Sequence, residues 1–433
     1  LGHPAFDLTE VKVEACSSAV HTRAHRLRRN EPNPTEVLSL AALYRRKSIC
    51  KHTNTGEHDM QGARSCLSLN ALVAVVLFDA CLFAQTTSAP DVTFQATTYP
   101  GTDAGVKINA CVAAVIAAGG GVCDATGLGG TQNFAEEVDL GSTQSASASI
   151  GVTLLLPDSA VWQWQMSNPT GCGIHQYNGT SIIGHQPGGQ GSNMILTAIS
   201  GSSMDSLYCT DSAISYIRAE GFSVFNHAAG NTFANGVVHI QNVVDESSFT
   251  RIFAGNYYGD SWHVSGACCG TKFENIQGIS NGAINNGAQG GVPLTVGPGK
   301  VDGVAFYDST FNEPGEGLPN IHILGDGYVT QVWGVDFFNA YMEGNGVIDA
   351  STSMVIIDPY VGPIHFHGGV AKTEIAQPNT KAIFENHGYQ IDVFGFNVTG
   401  ANIGVNDVTG NVKIGVWNYN KAYGAIPTYS TSM

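Results

Sequence analysis

Gly236-Val-Val-His-Ile240 is followed, 24 residues on, by Asp260-Ser-Trp-His-Val264, and this repeat decides the fold. The same step sets Phe249 over Phe273 and Ile252 over Ile276. Toward the N-terminus, a step of 27 places Phe222 and Phe225 under Phe249 and Ile252. Toward the C-terminus, a step of 28 aligns residues 304–308 with 332–336, and a step of 23 aligns 391–397 with 414–420. Apolar residues alternate inside each unit. A period drifting between 23 and 28 with two-residue alternation predicts one coil of a parallel β-helix per repeat. Leucine-rich repeats would show Leu and Asn at fixed spacing, and propeller blades need about 40 residues or more. The expected fold is all-β, a single-stranded parallel solenoid.

Composition agrees. Of 433 residues, 53 are Gly and only 12% are charged, which suits short strands and tight turns better than helices. One helix is expected, 104–118, capped by Asp103 and buried along Ile108, Val112, Val115 and Ile116. Gly119-Gly120-Gly121 stops it, and a strand follows. Such a helix covers the open first coil of a solenoid against edge pairing.

The first 59 residues stand apart, with basic clusters and no periodicity. They are expected to be either upstream sequence translated in error or a disordered leader. Residues 60–84 read as a signal peptide: Met60, Arg64, then an apolar run ending at Ala84. Asp79 inside the run argues against a membrane anchor, so no stable insertion is expected after cleavage. The β-helix domain would span 85–433, in a secreted or cell-surface protein. That part holds 9 basic and 27 acidic residues, a net charge of −18. Such a surface excludes nucleic acid as a partner and repels polyuronates unless calcium or a basic patch intervenes. Oligomeric state is not legible. Six cysteines remain, and in an exported chain they favour disulfides. Cys111 with Cys123 and Cys172 with Cys209 are the pairings expected; adjacent Cys268 and Cys269 either bridge or stay free.

Thr102-Asp-Ala-Gly-Val-Lys-Ile-Asn-Ala110, with Gly119-Gly-Gly-Val-Cys-Asp-Ala125, resembles the opening of the pectate-lyase superfamily. There an Asp-Ala plus short-helix segment precedes a Gly-Gly turn and the first strand. The resemblance implies a right-handed parallel β-helix with an N-terminal capping helix, a bacterial exported origin, and a polysaccharide or glycan as ligand. The family's polygalacturonase signatures are absent: Gly184-His185 runs into Gln186, Arg251-Ile252 into Phe253, and there is no Asn-Thr-Asp. The Arg-x-Pro-x-x-Arg of calcium-dependent pectate lyases is missing too.

Chemistry must therefore be sought in the coil alignment. The 28-residue step stacks Asp308 under Asp336 with Glu343 on the same coil, a carboxylate set about 5 Å apart fit to split acid and base roles. Alternatively both Asp cap turns. His263 lies one coil from His239, and with Arg251 would give a lyase its base and carboxylate clamp. A plain corner ladder, with Arg251 paired to Asp245 or Glu246, reads equally from the sequence. His365-Phe-His367 puts two imidazoles on one strand face as a metal pair requires, but no carboxylate is evident beside it, so no metal site is assigned. No cofactor is expected, with calcium entering only for a lyase. Trp162, Trp164, Trp262, Trp333 and Trp417 divide between core stacks and a sugar groove in proportions the sequence leaves open. The function expected is polysaccharide cleavage, as glycoside hydrolase or lyase, with Asp308, Asp336 and Glu343 as acid and base. The alternative is a non-catalytic glycan-binding or adhesin-like β-helix.

Overall fold

The computed structural model describes residues 92–431, except 142–150, 186–192, 212–215, 244–245, 281–289, 316, 328–330, 345–351, 374–381, 400–402, 408–411, 415–416 and 420–427. The leader and signal peptide expected over 1–84, and Asp245, lie outside the described residues. Across residues 92–431 the chain is an all-β parallel solenoid: every strand pairing is parallel, in one 20-stranded and one 12-stranded sheet. This is the coil expected of a parallel β-helix.

Helix α1 (Ala104–Ala117) covers the first coil. Its N-cap, Asp103, accepts a 3.1 Å hydrogen bond from the Val106 amide, satisfying one orphan donor of the first turn. Ile108, Cys111, Val112 and Val115 are buried, and Cys111 is bonded to Cys123 on the first full coil. Gly119, Gly120 and Gly121 carry positive φ, a conformation that stops the helix and turns the chain into the strand Gly121–Asp124. Cys172–Cys209 and Cys268–Cys269 are also joined.

Each coil presents three faces. On the first lie strands such as Val301–Tyr307 and the leading half of Val332–Gly344; after a sharp corner the chain enters the second, as in Thr310–Asn312. The third face is the 12-stranded sheet, with Ser203–Asp211, Val238–Gln241 and Trp262–Val264 among its strands. Inward residues stack along the axis. Phe249, Phe273, Phe306, Phe337 and Phe366 form one column, with successive ring centroids 4.9, 4.6, 4.8 and 4.6 Å apart.

The corner between the first two faces is a column of left-handed residues: Gly221, Arg251, Asn275, Asp308, Asn339, Gly368 and Gly395, with φ from 48° to 76°. Gly, Asn and Asp tolerate this conformation best. Asn339 donates a 3.1 Å hydrogen bond to Asp308 Oδ1, one coil below. A Cβ at Gly368 would come 2.7 Å from Asn339 Oδ1, so this rung also needs the missing side chain.

The register confirms the step of 24: Val238 opposes Trp262 and Phe249 opposes Phe273. Three other steps are corrected. Phe222 pairs with Ile252 and Ala219 with Phe249, a step of 30 where 27 was expected. Val304 pairs with Val335, a step of 31 in place of 28. Ile391 pairs with Val412, a step of 21 in place of 23. The first two errors equal three residues, for a physical reason. Around each corner one residue points in, one points out, one turns and the next points in again, as in Ala219-Glu220-Gly221-Phe222. A slip of three therefore lays one inward residue on another. A slip of two preserves ordinary strand alternation, which explains the third.

Candidate functional site

The register correction dissolves the expected carboxylate pair. Asp336 faces Ala305, and Asp308 sits at the left-handed corner beside Asn339. Glu343 lies on the second face, bonded to Lys372 and accepting 2.8 Å from the Tyr341 hydroxyl. Burial would raise the Glu343 carboxyl, but Lys372 and Tyr341 hold it below the ordinary value. It is an ionised partner in a surface pair, separated from Asp336 by the corner. Arg251 is another corner residue, bonded to Glu220, which also takes Arg218 at 2.5 Å. The partner found is Glu220, and Arg251 stands between the first two faces while His239 and His263 stand on the third. His239 and His263 do stack, 5.2 Å apart and 22° from parallel. Burial lowers the pKa of His263, whose Nε2 donates 2.7 Å to the Gly297 carbonyl, so the ring is neutral.

Asp336 finds other company. On the first face, Asp336, His365 and Asp392 occupy successive rungs of one outward column. His365 Nδ1 is 2.9 Å from Asp336, His365 Nε2 is 3.7 Å from Asp392, and His367 Nε2 is 3.5 Å from Asp336. The carboxylate that sequence could not find for the His365–His367 pair is thus Asp336, from the coil below. Beside this column runs another, Tyr307, Phe338, His367 and Phe394, with centroid spacings of 4.9, 4.7 and 6.0 Å. Phe394 is exposed. Earlier on the same strand as Asp336, the exposed Trp333 borders an open recess of about 450 Å³ with Lys300, Asp302 and Gln331. Trp162, Trp164 and Trp262 are wholly buried, with indole N–H groups satisfied by backbone carbonyls, so those belong to the core.

The densest proton-transfer chemistry lies elsewhere, on the third face. Strands Val138–Leu140 and Ser167–Gln176 pair so that Asp139 opposes His175, and the two-residue period brings Glu137 and Tyr177 to the same outer surface. His175 Nδ1 stands 2.7 Å from Glu137 and 2.9 Å from the Tyr177 hydroxyl, which is 3.5 Å from Asp139. Glu137 also accepts the Cys172 amide at 2.7 Å. These partners give the two carboxyls opposite characters. Burial works to raise Glu137, yet His175, the Cys172 amide and Asp139 hold it below its ordinary value. Loss of water contact and the charge of Glu137 push Asp139 up to about 6. Burial, then the charges of Asp139, Glu137 and Asp211, raise the Tyr177 phenol and keep it a donor. A split of this kind between neighbouring groups marks acid and base positions. The spacing Glu137-x-Asp139 and His175-x-Tyr177 was the available sequence signal; without the register, nothing brought the two pairs together.

Two groups among the described residues hold three ligand-type atoms within 4.8 Å and include no disulfide sulfur: Asp336 with His365 and His367, and Glu137 with Asp139 and His175. Both mix imidazole with carboxylate, which suits a transition ion better than calcium with its six to eight oxygens. Cys172, His175 and Cys209 are equally close, but the sulfurs are spent in a disulfide.

The class that fold and site define is a parallel β-helix carrying a hydrogen-bonded cluster of titratable side chains on one outer face and an aromatic–acid strip on another. Among solved structures the chain is similar to an alginate lyase from Paenibacillus sp. str. FPU-7, at 15% identity and a TM-score of 0.47, over 70% of this chain and 99% of that one. It is also similar to the A-modules of the Azotobacter vinelandii mannuronan C-5 epimerases AlgE4 and AlgE6. Identities are 11% and 12%, TM-scores 0.42 and 0.38, with 79% and 78% of this chain and 98% of each module covered. No family model and no curated protein matches the sequence. None of these likenesses carries a residue assignment to this chain.

Proposed function

We propose that the protein is an extracellular carbohydrate-active enzyme that cleaves a polysaccharide by elimination at the Glu137–Asp139–His175–Tyr177 cluster. The observation that carries this reading is the packing of the four groups, with His175 Nδ1 2.7 Å from Glu137 and 2.9 Å from the Tyr177 hydroxyl, itself 3.5 Å from Asp139; surroundings that push Asp139 up to about 6, Glu137 down and the phenol up support it. Asp139 and the Tyr177 hydroxyl are the groups that meet substrate. Ionised Asp139 takes the proton from the ring carbon next to a uronate carboxyl, and Tyr177 gives one to the departing glycosidic oxygen. His175, fixed by Glu137, turns its Nδ1–H toward the phenol oxygen, which carries the negative charge once its proton has gone to the leaving group and until the proton taken by Asp139 is returned to it. Hydrolysis fits less well. A retaining glycosidase places its carboxyls about 5–5.5 Å apart across the scissile bond, whereas Glu137 and Asp139 are close enough to share a proton.

The test is a polysaccharide panel that includes polyuronates, followed by ultraviolet absorbance of the new unsaturated ends and by reducing-end release, with calcium or EDTA. Calcium belongs in the panel because the acidic surface opposes a polyanion unless a cation intervenes. Absorbance gain abolished by Asp139→Asn and Tyr177→Phe, and kept by Asp336→Asn, supports the reading. Reducing ends without absorbance, lost in Asp336→Asn, would move the chemistry to the first face and make it a hydrolase.

A second reading, glycan binding without cleavage, is favoured by the aromatic column Tyr307–Phe338–His367–Phe394 with Trp333 nearby, surfaces on which pyranose rings stack. Saturable binding weakened by Phe394→Ala, with no cleavage of any polysaccharide, would favour it.

A further inference from the structure

The third face carries another arrangement that polysaccharide cleavage does not use. Three successive coils supply Asp205, His239 and Ser265, which meet obliquely across the third face: His239 is level with Cys209 and His263, Asp205 lies earlier along its strand and Ser265 just past the end of its own. Asp205 Oδ2 is 2.7 Å from His239 Nδ1, and His239 Nε2 is 2.7 Å from Ser265 Oγ. We infer that Asp205, His239 and Ser265 form a nucleophilic triad that hydrolyses an ester, the substrate class being acyl-substituted carbohydrate.

Asp205 falls at the register shift between Met204 and Ser206, opposite the extra residues of the neighbouring strand Ser167–Gln176. Its carboxylate is anchored by Asn235 Nδ2 at 2.5 Å and Ser206 Oγ at 3.4 Å. His239 sits on the strand Val238–Gln241, almost wholly buried and stacked on the neutral ring of His263. Its two ring nitrogens therefore have distinct partners: Nδ1–H goes to the carboxylate, leaving the Nε2 lone pair for the serine hydroxyl. Ser265 follows the strand Trp262–Val264 and is partly buried, its oxygen held by the His239 bond. Its neighbours are trimmed to fit: a Cβ at Gly266 would lie 2.9 Å from the Asn242 nitrogen, and one at Gly299 would lie 1.7 Å from the Ser265 carbonyl. Burial of Asp205 works against its charge, but the hydrogen bonds from His239, Asn235 and Ser206 hold its carboxyl below the ordinary value.

The step balances without a co-reactant other than water. Ser265 Oγ forms a bond to the acyl carbon while its proton passes to His239 Nε2. The carbon–oxygen bond to the sugar breaks, and the leaving alkoxide takes that proton. Water then attacks the acyl-serine, gives a proton to His239, and the carboxylic acid departs as Ser265 regains its hydrogen. Ser265 and His239 are catalytic residues; Asp205 is a positioning residue.

The experiment uses the intact chain with a fluorophosphonate probe, and acetate release from O-acetylated polysaccharide as the activity. Expected are a probe adduct mapped to Ser265, acetate release reduced about 10³-fold or more by Ser265→Ala, and polysaccharide cleavage by that variant left unchanged. Asp205→Asn should lower kcat with little change in KM, because the imidazole loses its tautomer and not its substrate. Failure of the probe to label Ser265, or acetate release equal in wild type and Ser265→Ala, overturns the triad. Neither result bears on Asp139, so this inference and the cleavage reading fail independently.

Discussion

At the scale of single residues, two carboxylates of the same kind have opposite fates. Asp308 occupies a left-handed corner with φ of 48°, which makes its identity a backbone matter. Asp308→Gly should leave stability unchanged or slightly raised, while Asp308→Val should lose about 1–2 kcal/mol, read from urea unfolding with activity untouched. Asp139 is instead a charge matter. Its folded pKa, about 6, lies above the ordinary 3.8, so the stability it contributes is present below the ordinary value and is lost as pH rises through about 6. Asp139→Asn should therefore melt higher than wild type above that pH and match it at pH 4 or so. Elimination rates of the wild type should move the other way, rising through about 6 as the base ionises. A pH–rate profile flat from 5 to 8 would remove Asp139 from the base role.

Among elements, inner and outer columns of aromatics look alike in spacing and differ in what they do. Phe306 lies between Phe273 and Phe337 with no exposure, so Phe306→Ala opens a cavity in the middle of the stack and should cost about 3–5 kcal/mol. Phe394, at the end of the outer column and 43% exposed, gives up little on truncation. Phe394→Ala should keep the melting temperature near that of wild type and weaken glycan affinity several-fold, measured by affinity electrophoresis. Because adjacent residues on one strand point to opposite sides, Phe306 and Tyr307 belong to different columns, and only register tells which aromatic stands where.

Over the whole molecule, contacts run from each coil to its neighbours, so stability is a sum of local interfaces and the ends are the weak points. Helix α1 closes the N-terminal end and is fastened to the first coil by Cys111–Cys123. Replacing both cysteines with Ala should speed amide exchange in the first coils, with a local loss of about 2–4 kcal/mol, and leave the coils around Phe306 protected. Uniform loss of protection along the chain would show one cooperative unit instead. The acidic surface predicts that binding of a polyanionic glycan strengthens as salt screens it.

The sequence by itself determined the coil, the capping helix and the step of 24, because these follow from alternation and capping chemistry; it suggested Cys111–Cys123 and Cys172–Cys209 and left Cys268 and Cys269 open, and the structure joins all three pairs. The sequence also marked His239 over His263 and the His365–His367 pair. Only the tertiary structure decided which coil lies on which. A corner of one inward, one outward, one turning and one inward residue lets a three-residue slip keep its hydrophobic match, so apolar pattern alone fixes each rung only up to that ambiguity. Every polar cluster on the surface depends on resolving it. The right register separates Asp308 from Asp336, gives Asp336 to two histidines, joins Glu137 and Asp139 to His175 and Tyr177, and brings Asp205, His239 and Ser265 within hydrogen-bonding reach. Inward residues repeat so closely from coil to coil that their pattern cannot count rungs; outward residues differ, but their meaning appears only once the rungs are stacked.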